Sequence, residues 1–113
     1  GHARAPACGS TLTLDIVTDG AGQIARIGLQ SRACAVGQGA AAVFARHAAG
    51  RDLAAIAATR AALESWLAGE GELPDWPDLA LIAPARGLTG RHGAMLLPWR
   101  AAETALSSAP ADS

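Results

Sequence analysis

The sequence predicts an α+β domain: a small antiparallel β-sheet packed on one face by several α-helices. Two stretches of alternating polarity, residues 11–18 and 23–31, flank the turn-forming run Asp19-Gly20-Ala21-Gly22, the pattern of a hairpin with one buried face. Beyond them the apolar spacing changes from every second position to every third or fourth over residues 35–48 and 53–68, as helices require. The chain has 113 residues, half of them hydrophobic, enough for one core and too few to promise two. A single domain over residues 3–107 is expected, with Gly1-His2 set aside as a tag remnant and residues 108–113 as a flexible tail.

Residues 3–10 are rich in Pro, Gly and Ser and read as a loop that delivers Cys8 to the first strand. That strand carries Leu12, Leu14 and Ile16 on its buried face, and the second carries Ala25, Ile27 and Leu29. The first helix places Val36, Ala40, Val43, Phe44 and His47 near one stripe and ends at Gly50. Asp52 is the N-cap of a second helix whose apolar positions are Leu53, Ile56, Ala57, Leu63 and Leu67, with Trp66 against the core and Gly69 as the stop. Residues 69–92 are punctuated by Gly and Pro, so one short helical turn over 78–83 is expected, with Trp76 covering the core. A last helix starts near Pro98, a residue suited to a first turn, and buries Trp99, Ala102 and Leu106.

Composition narrows the function classes. The net charge is −1, and all nine basic residues are Arg, scattered along the chain; no basic patch points to nucleic acid. No apolar run reaches the about 18–20 residues that cross a bilayer, and no signal peptide opens the chain. A cytoplasmic protein with two free thiols is therefore expected. Abundant Ala and the absence of Lys suggest a GC-rich bacterial genome.

Cys34 is the candidate ligand or nucleophile of the chain. It falls where a strand pattern becomes a helix pattern, among unpaired N–H groups at the positive end of a helix dipole, which favours the thiolate. The hairpin brings the region of Cys8 toward the exit of the second strand, so the two thiols have the placement of metal ligands from separate loops. A small buried thiol is the structural alternative. His47, several turns from Cys34, reads as a core-edge or C-capping residue.

The run Ala5-Pro6-Ala7-Cys8-Gly9, the strand–turn–strand that follows, Cys34 opening a helix, and Gly50-Arg51 before an Asp-Leu helix start together resemble the IscU/SufU/NifU N-terminal family of iron–sulfur cluster assembly scaffolds. The resemblance spans residues 5–106, nearly the whole chain. The Gly/Pro-rich stretch between Gly69 and Arg91, and Arg91 with Leu96 and Trp99, are similar to the SufU-like branch. The resemblance implies a SufE/NifU-like fold and a non-enzymatic role in cluster assembly. Iron, a [2Fe–2S] cluster or zinc would be held through Cys8 and Cys34, and the partners would be a cysteine desulfurase and apo iron–sulfur target proteins.

The chain departs from the family at three ligand positions. Ser10 stands where the first motif has Asp, and Gly93 and Ala94 stand where the third has His and Cys. Cys8 and Cys34 remain, with His92 one residue from the expected His as a third metal ligand. A closed zinc site or a [2Fe–2S] cluster takes four ligands, so a homodimer or solvent must complete the site, or the chain receives sulfur as a persulfide on one thiol. The alternatives are a degenerate homologue acting as a metal-free interaction or regulatory module, and an independent thiol enzyme using His47 or His92 as base.

Overall fold

The computed structural model describes residues 2–5, 10–32 and 35–108. A three-stranded antiparallel sheet in the order β1-β2-β3 is built from His2–Ala5, Ser10–Thr18 and Ile24–Arg32. It is followed by α1 (Ala35–His47), α2 (Leu53–Leu67), 3-10 turns at Leu79–Leu81, Ala83–Gly87 and Thr89–Arg91, and α3 (His92–Ser108). The α+β class and the one-faced sheet are as the sequence predicts.

The first strand corrects the expected N-terminal loop. His2–Ala5, set aside or read as irregular, pairs with β2 in the register Ala3↔Leu12 and Ala5↔Ser10. A backbone ladder needs no apolar alternation when the strand joins an open edge, so the composition of this stretch carries no strand signal.

The hairpin forms as expected, with Asp19 organising the turn: its carboxylate accepts from the N–H groups of Ala21 at 2.9 Å and Gln23 at 3.0 Å. Leu14↔Leu29 and Ile16↔Ile27 are cross-strand partners and share the helix-covered face. The expectation for Ala25 fails. A bulge after Val17 pairs Thr18 with Ile24, which shifts the parity at the start of β3 only; Ile24 is buried and Ala25 exposed. The backbone of Ile24 also donates to Arg51 O at 2.8 Å and accepts from Gly50 N–H at 2.7 Å, tying the hairpin to the α1–α2 connection, where Gly50 takes φ +87°.

Helix α1 buries Ala40, Val43 and Phe44, with Val36 half-buried. Asp52 caps α2 through Ala55 N–H at 2.9 Å, and Ile56, Leu63, Trp66 and Leu67 are buried, whereas Leu53, expected inside, lies on the outside of the first turn. Gly69 ends the helix at φ +82°. Helix α3 begins at His92, six residues before the Pro98 start read from the sequence. Pro98 lies buried inside it: its ring forfeits one backbone hydrogen bond. The buried residues Ala94 to Leu97 on one side, and Trp99, Ala101 and Ala102 on the other, outweigh that loss.

Helix α3 packs against the sheet, α1 and α2. Its Trp99 closes an aromatic trio with Phe44 and Trp76, every pair of ring centroids lying 5.3–5.4 Å apart, one pair stacked and two edge-to-face. Trp76, expected to cover the core, is buried; its Nε1–H donates to Val43 O at 3.1 Å, and the Arg51 guanidinium lies 3.9 Å over its ring. On the far side, Arg60 of α2 bonds Glu64 and Glu103, and Arg100 of α3 bonds Glu64. Hydrogen bonding from Arg60 holds the Glu64 carboxyl below its ordinary range, and Glu103 and Glu64 keep Arg60 charged beyond its own.

Candidate functional site

The site follows from the sheet register. Thr11, near the start of β2, pairs with Arg32, the last residue of β3, while Ser10 pairs with Ala5 on the other side. The connection into β2 and the connection from β3 to α1 therefore flank one end of the sheet. Cys8 and Cys34, the two thiols expected to form the site, lie in these connections and outside the described residues. Ser10, the departure from the family carboxylate, is the first residue of β2.

Helix α1 starts at Ala35 with no acidic residue in its first turn, and Arg46 and His47 stand in its last turn. The positive pole at Ala35 is thus left unneutralised by its own first turn while the negative pole is balanced by cations. An anion such as a thiolate is favoured just ahead of Ala35.

Helix α3 carries the positions at which the resemblance expects a third motif. Ala94 is fully buried, so this position serves packing. His92, the first residue of the helix, is half-buried, and its Nε2–H donates to Arg86 O at 2.6 Å. That bond fixes the tautomer and leaves the lone pair on Nδ1, the arrangement in which a ligating imidazole is commonly oriented by a backbone carbonyl. Among the described residues no three His, Cys, Asp or Glu side chains gather as a metal-binding group.

His47 lies at the opposite end of α1. Its Nε2 is 2.8 Å from Asp78 Oδ2, and Arg46 approaches the same oxygen at 3.8 Å. The turn expected from residue 78 begins here, with Asp78 at φ 69° at the head of the first 3-10 turn, but its pairing with His47 was not anticipated.

No protein-family model matches the chain, and no curated protein does. Solved structures do. The chain is similar to a nitrogen-fixing NifU-like protein, N-terminal part, from Brucella abortus, with a TM-score of 0.86 and 27% identity over 94% of this chain and 74% of that one. It is also similar to a putative iron–sulfur cluster assembly scaffold protein for the SUF system from Fervidobacterium islandicum, with a TM-score of 0.81 and 21% identity over 93% of this chain and 77% of that one.

Proposed function

We infer from the NifU-like fold, shared at a TM-score of 0.86 and 27% identity, that the chain is a member of the IscU/SufU/NifU family, and propose that it serves iron–sulfur cluster assembly as a scaffold or sulfur acceptor acting through Cys8 and Cys34. The observation that carries this reading is the register Thr11↔Arg32 in a NifU-like fold: Cys8 stands two residues before Ser10 and Cys34 two residues after Arg32, so both thiols are tethered to one end of the sheet. The stretch between Gly69 and Arg91 is our ground for assigning the SufU-like branch.

Two thiolates and one imidazole are a donor set for iron or zinc with an open position. His92 would be the third ligand, through Nδ1. A stable cluster then needs a second copy of the chain, whereas sulfur acceptance needs one thiolate. In that step the Cys34 thiolate attacks the outer sulfur of a desulfurase persulfide, a new S–S bond forms at Cys34, and the desulfurase cysteine leaves as a thiolate, with no net oxidation. The cysteine desulfurase is the donor and apo iron–sulfur proteins are the recipients. A cytoplasmic location accords with this chemistry, which needs reduced thiols.

Metal and acid-labile sulfide in protein purified without oxygen test the reading, alongside Cys8→Ser and Cys34→Ser. Metal near stoichiometry that is lost in both variants supports a shared site. Absence of metal after reconstitution with iron and sulfide, together with no sulfur accepted from a desulfurase, overturns it in favour of a metal-free interaction module. That second reading is favoured by the full burial of Ala94 at the lost ligand position.

A further inference from the structure

One face of α1 is left uncovered by the described elements. Val36, Gly39 and Val43 on α1 form one side of a groove of about 500 Å³, and Leu81 and Leu88 of the 3-10 segment line the other. The two leucines are 66% and 55% exposed, far more than a closed core leaves them. Arg46 stands at the end of the groove, Ala35 opens it, and among the described residues no acidic side chain lines it.

We propose that this groove receives an amphipathic helix of a partner protein, with aliphatic side chains along its inner face and a carboxylate that meets Arg46. Charge complementarity carries the choice. The Arg46 side chain is 64% exposed, and the Asp78 oxygen it approaches at 3.8 Å is already held by His47 at 2.8 Å. Such a loose surface pair costs little to exchange, so the groove offers an apolar wall and one loosely held cation. Its complement is apolar with a single negative charge. From Val36 to Arg46 the wall is about 15 Å long, roughly three helical turns, which suits leucine-class anchors at i, i+4 and i+7. The open rim formed by Leu81 and Leu88 admits a helix from the side.

The test uses a fluorescent, side-chain-stapled helical peptide about three turns long, with leucines at those spacings and one glutamate aligned with Arg46, read by anisotropy against the full chain. Saturable binding is expected to weaken about tenfold in Arg46→Glu and to recover when the peptide glutamate becomes arginine. Leu88→Ser, at an exposed position, weakens both peptides alike. Three results overturn the proposal: no saturable binding, binding indifferent to the charge swap, or occupation by something else. The last is read as laurate binding without peptide binding, or as a dimer in sedimentation that Leu88→Ser dissociates. The readout involves neither cysteine nor metal, so it succeeds or fails separately from the assembly reading.

Discussion

The two ends of α1 are built for opposite purposes. At its C-terminal end Phe44 is locked into the aromatic trio, the backbone oxygen of Val43 is held by Trp76, His47 bonds Asp78, and Arg51 covers the Trp76 ring while its Nε–H donates to His47 O at 2.8 Å. At its N-terminal end Ala35 is exposed and Val36 half-buried beside an open groove, and no carboxylate of the first turn balances the pole. The difference teaches how a small domain can leave one side of a helix end open: the far half is fixed on several sides, while the near half is held through Gly37 and Ala40 and its other side faces solvent without loss of position.

The sharpest way to break this contrast is to remove the anchor. Trp99 is fully buried and touches both other rings; Trp99→Ala is expected to cost about 3–5 kcal/mol, read as a lower urea midpoint. Trp76→Phe keeps a ring and deletes the hydrogen bond to Val43 O, with an expected loss of about 1–2 kcal/mol. If Trp76→Phe proves as damaging as Trp99→Ala, the anchor is the hydrogen bond and not the packed trio.

A smaller effect is expected where α1 hands over to α2. Asp52→Ala removes the N-cap bond to Ala55 and should cost about 1 kcal/mol, while Asp52→Asn retains most of the stability in thermal melts. Behind α2, the Glu64 carboxyl is lowered chiefly by its hydrogen bond from Arg60. A carboxyl lowered in the folded state adds stability above its unfolded pKa, and loses it as pH falls through the lower folded value. Glu64→Gln should therefore be less stable than the parent at neutral pH, with the difference shrinking on acidification below the ordinary glutamate range. A difference constant with pH would show that the Arg60 bond does not act through the charge.

What could be read from sequence divides along similar lines. The hairpin, α1, α2 and the Asp52 cap were legible because each is announced by residues close in sequence: the Asp19–Gly22 turn, the three-to-four spacing, and Asp52 ahead of Leu53. Ala25 misled because alternation cannot register the bulge between the Val17↔Arg26 and Thr18↔Ile24 pairs. Pro98 misled because a local rule about helix starts was overridden by burial on both sides of it. Of the candidate site, Cys8 and Cys34 lie outside the described residues, while the family resemblance was legible through short motifs. The groove was not, since Val36 and Leu88 are remote in sequence, and neither the His47–Asp78 pair nor the orienting bond from His92 to Arg86 O leaves a motif.

The smallest expected effect is at the open wall, and it is the one that separates the two ends most cleanly. Leu88 is 55% exposed, and its backbone N–H bond to Ala85 O at 2.9 Å does not depend on its side chain. Leu88→Ser should therefore move the unfolding free energy by no more than about 0.5 kcal/mol, as exposed substitutions generally do. A loss of about 2 kcal/mol would instead be the signature of a buried aliphatic side chain. The segment would then close over α1 in solution, and the near half of the helix, which already buries Gly37 and Ala40, would be covered on its groove side as well.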